Sequence, residues 1–477
     1  MNSRIHELSV AELACAYGAK ALSPVEVTRH LLQRLEAFNP ALNAFYLVDA
    51  DAALRDAAAS EDRWRRGASL GPLDGVPTSI KDALAAIGWP AYRGSRAHRA
   101  EAGVWNVDAP AIARLREAGA IFLGKTTMPD FGILPSGYSS KHGITRNPWD
   151  LSLNPGGSSS GASASVAAGI TPYAIGTDIV GSVRLPASFC GLYGLKPSYG
   201  RIPYYPPNDP ALAAGPITRT VEDAAIVMNV VTRPDPRDFT ALEPSSIDYL
   251  SALSGDARGV RIGHVADLGF DITPDRDVSG RVAEAVKVFE TLGSVVENVE
   301  LSFARDDMLS AEDYYRTRCY AEFMTFDEPR RQAATVIREW TAPVRYMSAL
   351  ALFDAMSAMR RMREQTLRAL DRFDYLMLPT VHIPPFAAED PSPDPDNRFD
   401  AWGNTFLFNL TEQPAASVPC GFSAAGAPIG MQIVGHRFDD AGVLRMSCIY
   451  EKAVGGFPVP DMDRKAFTGM IAEGAQR

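Results

Sequence analysis

The chain has 477 residues, 46% of them hydrophobic, which is ample for a large buried core. Lys and Arg number 47 against 57 Asp and Glu, a formal net charge of -10. That balance argues against a basic stripe for phosphate backbones, so no nucleic-acid partner is expected, and the charge reads as plain solubility.

No run approaches the roughly 18 apolar residues that a spanning helix needs. Glu7 and Glu12 fall where an export leader needs an apolar core. The five cysteines, at 15, 190, 319, 420 and 448, are odd in number, widely spaced and without a CxxC. This speaks against a disulfide framework or a structural zinc site. Cys190 and Cys420 stand in apolar runs and read as core residues. A soluble, cytoplasmic protein with no membrane contact, no metal and no cofactor is expected.

In chain order, Ser9-Val-Ala-Glu12 and Ser23-Pro-Val-Glu26 both match the capping box, with Pro24 at the favoured first helical position. Leu31, Leu32, Leu35 and Phe38 continue the second helix at helical spacing. A third, Ala-rich helix covers about 49–66. Turns at Pro72, Asp74-Gly75 and Pro77 then frame a short strand, Val76 to Ile80, that delivers Lys81. A helix over 109–118 and a buried strand over 120–126 follow, then a small-residue helix through 165–168, a strand over 173–175 and a helix over 220–231. Residues 201–215, with four prolines, read as a loop, and 233–258 is polar and irregular. Residues 310–372 are mostly helical, and their Met/Arg stripe reads as core packing plus a solvated face. Residues 389–397 read as a surface loop, and disorder is expected only in the last few residues. Alternating helices and apolar strands favour a layered α/β fold.

Two local patterns need weighing. GAIFLGKTT, 119–127, matches the phosphate-loop pattern in letters. Its variable residues have strand composition, and Pro129 stands where the required helix would be under way, so a buried strand is the better reading. GGSSSGASAS, 156–165, has the composition of a flexible linker but sits inside an apolar region. None of the seven histidines except His142 lies near it, and no GxSxG elbow is present. A hydrolase built here needs another base, and a buried lysine kept neutral by its surroundings can serve.

Here the chain resembles the amidase signature family. The matching blocks are GVPTSIKD (75–82), GKTTMPDF (124–131), NPGGSSSGASASVAAG (154–169), GTDIVGSVRLPASFCGLYGLKPSYGR (176–201), AGPITRTVEDAA (214–225), FNLTEQPAASVPCGF and GAPIGMQIVGHRF. The resemblance implies a Ser-Ser-Lys triad: Lys81 as base, Ser158 as a bridging serine after a cis peptide, and Ser182 as nucleophile. It implies an oxyanion hole from the backbone amides of Ile179, Val180, Gly181 and Ser182. Ser159 matches a position that supports the triad, and Asp178 and Arg184 are expected to pair and hold the nucleophile loop. Gly156, Gly157, Tyr138 and Met128 are expected around the substrate, and for Tyr138, Tyr204 and Tyr205 a pocket wall and plain loop packing are equally open.

The implied fold is one large layered α/β/α domain over 1–477, with a mixed, mostly parallel sheet covered by helices. Its parts are N-terminal helices to about 66, a catalytic core over about 70–232, a helical substrate-side region over about 302–372 and a return to the core over about 373–460. The implied function is hydrolysis of a small carboxamide through an acyl-serine intermediate, with no cofactor; a homodimer is the base-rate expectation. The alternative is the glutamine-hydrolysing component of a tRNA-dependent amidotransferase. That component usually has Gln where this chain has Leu185. Two departures from the family pattern stand out: Val180 where a first glycine usually precedes the nucleophile, and Glu412 in LTEQPA where Gly is common. A relative that only binds ligand, with Val180 blocking the hole, is the third reading.

Overall fold

Both capping boxes form in the computed structural model, which describes residues 4–98, 105–206 and 211–462. They start α1 (Val10–Gly18) and α2 (Pro24–Leu42). Then come β1 (Phe45–Val48), α3 (Ala50–Arg65), β2 (Pro77–Lys81), α4 (Pro110–Glu117), β3 (Ile121–Thr126) and the short pair β4 (Tyr138–Ser139) and β5 (Gly143–Ile144). The middle of the chain forms α5 (Ser160–Ala167), β6 (Tyr173–Asp178), α6 (Arg184–Phe189), β7 (Tyr193–Lys196), β8 (Ala213–Thr218) and α7 (Val221–Val231). Next are β9 (Arg261–His264), α8 (Arg276–Thr291), β10 (Val295–Asn298), α9 (Arg305–Met324), α10 (Glu328–Ala333), α11 (Thr335–Thr341) and α12 (Ala349–Leu370). The chain closes with β11 (Tyr375–Pro379), α13 (Phe406–Leu410), β12 (Ala415–Phe422), β13 (Pro428–Gly435) and α14 (Asp440–Ala453).

Eleven strands form one mixed sheet in the order β1-β3-β2-β6-β8-β7-β12-β13-β11-β9-β10, covered by helices. The α/β layering is as expected, but the sheet is not mostly parallel. Only β2–β3, β2–β6, β9–β10 and β9–β11 pair in parallel, four of its ten pairings. A parallel neighbour needs a crossover segment, and β12 returns directly into β13 through a turn closed by Ser423 N–H donating to Ala427 O.

The phosphate-loop look-alike is indeed strand β3, fully buried, with Lys125 Nζ donating to Leu84 O at 2.8 Å. Residues 213–215, expected in a loop, instead open β8. Every residue of β8 is buried between β6 and β7, so no period-two alternation marks it in the sequence. Residues 207–210 and the C-terminal residues expected to be disordered lie outside the described residues. The helical stretch resolves into α9 to α12, with Ala355, Ala358, Met362 and Leu370 forming the inner face of α12.

The Gly/Ser block is no tether. It forms α5, buried at all eight positions, packed on β2, β3 and β6. Ala162, Val166 and Ala167 join Ala174, Val183 and Ile217 in a small-residue core directly behind this helix. Small side chains allow the close approach; the cost in helix propensity is met by packing.

Candidate active site

Strands β2 and β6 run parallel, with Ile80 opposite Ile175, so their C-terminal ends lie side by side. Lys81 ends β2, and Thr177 and Asp178 end β6. The turn after β6 carries Ser182 into α6, and the segment before α5 carries Ser158. Sheet topology alone thus brings together residues a hundred positions apart.

Lys81 is fully buried. Its Nζ lies 2.9 Å from Ser158 Oγ, 2.9 Å from Ser159 Oγ, 2.7 Å from Thr177 Oγ1 and 3.2 Å from Thr177 O. Thr177 O can only accept, so one amine proton goes there, and a neutral amine keeps its lone pair for a hydroxyl proton. Burial pushes Lys81 down from 10.5 to about 7, against the opposing charges of Asp178 and Asp82. The Gly157–Ser158 peptide is cis, as the resemblance implies. Ser182 Oγ is buried and has no hydrogen-bond partner among the described residues. Ser158 and Ser182 line one cavity of about 520 Å³.

Asp178 and Arg184 pair as expected, both fully buried. Arg184 Nε and Nη2 donate to the two Asp178 oxygens at 3.0 and 2.9 Å, and Nη1 donates to Thr405 O and to Gln432 Oε1. Burial alone would raise the Asp178 carboxyl, but the Arg184 guanidinium outweighs it and holds the group at about 2.

The same carboxylate also reaches the nucleophile turn. Gly181 N–H, expected in the oxyanion hole, donates to Asp178 Oδ1 at 2.8 Å and is already engaged. The amides of Ile179, Val180 and Ser182 have no acceptor among the described residues and remain available. Val180 does not block the loop: its φ is not positive, its side chain sits in the neighbouring apolar core, and its carbonyl accepts from Thr405 Oγ1 at 2.6 Å. The unusual conformation falls on Gly181, at φ 132°. A Cβ there would lie 2.1 Å from Thr405 Oγ1. Gly181→Ala is therefore expected to displace the turn that carries the Val180 and Ser182 amides and to reduce activity at least about 100-fold, the scale of misplacing one oxyanion donor; steady-state rates beside a circular-dichroism melt would check it.

Of the four residues expected around the substrate, only Met128 lines the cavity. Gly156 and Gly157 are not among its lining residues, and a Cβ on either would strike Leu185 or the carbonyl of Leu134. Tyr138 is spent on the β4–β5 pair. Tyr204 does line the cavity, whereas Tyr205 lies under the Arg237 guanidinium. Glu412 pairs with Arg363 and Arg437 beside a separate cavity of about 170 Å³. Sequence reasoning missed Thr177, Thr405, Asn409 and Gln432; three of these, all but Thr405, stand inside the motif blocks, and that was the available signal. Among the described residues no cluster of three His, Cys, Asp or Glu is placed to hold a metal, and no helix is long and apolar enough to cross a membrane.

Buried Lys81 at the end of β2, Ser158 before α5 and Ser182 after β6 thus stand beside one cavity. The chain belongs to the amidase signature family: residues 26–444 match the family Amidase, and such enzymes act on C–N amide bonds. A glutamyl-tRNA(Gln) amidotransferase component from Carboxydothermus hydrogenoformans is 34% identical to it, over 94% of this chain and 97% of the relative. Its counterpart from Myxococcus xanthus is also 34% identical, over 94% and 98%. Among solved structures, a bacterial aryl acylamidase of the amidase signature family superposes with TM-score 0.87 at 31% identity, covering all of both chains. The peptide amidase of Stenotrophomonas maltophilia follows with TM-score 0.82 at 28% identity over 96% and 99%.

Proposed function

We propose that this protein hydrolyses a carboxamide to an acid and an amine or ammonia through an acyl-Ser182 intermediate. The observation that carries this reading is the contact of Lys81 Nζ with Ser158 Oγ, at 2.9 Å, beside the cavity that Ser182 lines. Neutral Lys81 takes the Ser158 proton while Ser158 takes that of Ser182. Ser182 Oγ bonds to the carbonyl carbon, and the oxyanion is received by the amides of Ile179, Val180 and Ser182. As the C–N bond breaks, protonated Lys81 returns its proton through Ser158 to the leaving nitrogen. Water then repeats the relay and frees the acid. Ser159 and Thr177 hold Lys81, and the Asp178–Arg184 pair holds the turn.

Because Lys81 must be neutral to act, kcat/KM is expected to rise from mildly acidic to mildly alkaline pH with a midpoint near 7. Lys196 is also buried and pushed down to about 7, but its Nζ donates to Pro197 O. The midpoint should therefore persist in Lys196→Met; a flat profile in the unmodified protein would remove Lys81 as base.

Two readings of the substrate have support. The amidotransferase relatives favour a glutamine-hydrolysing component that works in a complex. Leu185 and the apolar cavity wall, with Trp105, Phe131 and Tyr204, favour a stand-alone amidase, as does the likeness to the aryl acylamidase, and we take that reading. Ammonia release from aryl, aliphatic and amino-acid amides by the purified chain separates them. Release only from glutamine, or only after partner proteins are added, would establish the amidotransferase reading.

A further inference from the structure

The cavity that Ser158 and Ser182 line carries more positive charge than a neutral amide calls for. Arg93, Arg318 and Arg330 all line it, in a chain whose net charge is -10. Two carboxylates stand near them. Glu322 pairs with Arg93, and Asp327 Oδ1 accepts from the Arg330 backbone amide at 3.0 Å, so it is held at the start of α10. Arg330 is left with one neutral acceptor: its Nε donates to Ala97 O at 3.0 Å, and its guanidinium lies 4.1 Å from the Phe326 ring centroid. No carboxylate among the described residues lies within ion-pair distance of it. It is half-buried, so water screens it less than a surface arginine. His98, which also lines the cavity, supplies no negative charge: burial first, then Arg93 and Arg330, push it down to about 4, so it is neutral. Met128, Phe131, Trp105 and Tyr204 line the same cavity.

Resting on the amidase reading above, we propose that the substrate is an amide carrying an anionic group, such as a carboxylate, on a flat apolar body, and that Arg330 receives the anion. A guanidinium with free N–H donors matches a carboxylate in two-pronged geometry. The aromatic lining takes the flat part, and the amide reaches Ser182. A cationic group on the substrate would be repelled by Arg330, which has no carboxylate within ion-pair distance among the described residues. The α-ammonium of free glutamine meets the same obstacle. Specificity here is partly repulsive.

The position of Arg93 follows from the strand that carries the base. Asp82, next to Lys81, accepts from the amides of Tyr92 and Gly94 at 2.9 and 2.8 Å. It thereby clamps the loop on both sides of Arg93, so one strand end orients both the base and part of the cationic wall.

Benzamide, 4-carbamoylbenzoate and 4-(aminomethyl)benzamide differ in charge and little else, and they make the test. For the unmodified protein, kcat/KM for the carboxylate is expected to exceed that for benzamide by about tenfold or more, with the amine poorest, the scale of one partly screened charge pair. Arg330→Gln should reduce the carboxylate-to-benzamide ratio at least about fivefold, while Arg330→Lys keeps most of it; a thermal melt confirms that each variant is folded. In parallel, calorimetry on Ser182→Ala measures binding without turnover. 4-Carbamoylbenzoate should bind more tightly than benzamide, and raising salt from about 0.02 to about 0.5 M should erode the difference. Turnover of benzamide with no preference for the carboxylate, or an Arg330→Gln ratio equal to that of the unmodified protein, overturns the anion site and leaves the amidase reading standing. Preferential binding of the carboxylate to Ser182→Ala, with no amide turned over by the unmodified protein, supports the anion site and overturns the amidase reading. Binding of neither probe counts against both.

Discussion

Ser182→Ala is expected to lower kcat/KM for any accepted amide by about 10⁴-fold or more, and Lys81→Met by a similar factor, because members of a nucleophile–base unit fail together. The double variant should then cost little more than either single one. Ser158→Ala should leave a small remnant, since a water in place of the hydroxyl can bridge base and nucleophile poorly. Stability separates a catalytic from a structural role for Lys81. In the unfolded chain its amine holds a proton up to about 10.5, while in the folded chain it gives the proton up above about 7. The unfolded state therefore binds more protons between these values, and folded stability through this group falls as pH drops from 10.5 toward 7. Lys81→Met carries no such cost, so at pH 7 its melting temperature should be equal to or above that of the unmodified protein despite the lost hydrogen bonds. Loss of activity with a lowered melting temperature would mark Lys81 as structural, and full activity would overturn its assignment as base. Retained activity in Ser182→Ala would overturn the acyl-enzyme.

Local chemistry was readable where it is written locally. The serines that cap α1 and α2 announce themselves within four residues, and so does the strand that ends at Lys81. The triad positions were reached through motif blocks, which specify a family geometry that spacing alone cannot give. What stayed hidden depends on distant partners. The first half of strand β8, 213–215, reads as loop until β6 and β7 are placed on either side of it. The direction of the sheet depends on where β12 and β13 insert, which no local pattern states. That the Gly181 amide is taken up by Asp178, three residues away in the same turn, was also hidden, since only the folded turn decides which amides point at the carboxylate. Arg93 lies in an irregular loop and Arg330 in a six-residue helix, more than two hundred positions apart, so nothing in either stretch signals that they share a wall.

Asp178→Asn is expected to destabilise the fold by about 3–5 kcal/mol, the range for breaking one partner of a buried ion pair. Asp178 Oδ1 accepts from Gly181 N–H, Arg184 Nη2 and Asn409 Nδ2, while Oδ2 accepts from Val183 N–H and Arg184 Nε. An amide has one oxygen to meet these donors, and its NH₂ faces a guanidinium that is itself fully buried. Arg184→Met should cost a similar amount by stranding the carboxylate, whereas the double change should cost less than the sum, because the desolvated charges leave together. Activity should fall with the turn that presents Ile179, Val180 and Ser182, but a loose turn alone does not move a titration midpoint. The charge of Asp178 does act on Lys81, raising its pKa against burial. In Asp178→Asn that support is gone, so the residual activity should titrate at a lower pH than in the unmodified protein, and the alkaline limb should be reached earlier. A midpoint that stays near 7 in a folded Asp178→Asn would mean that Asp178 braces the nucleophile turn without tuning the base.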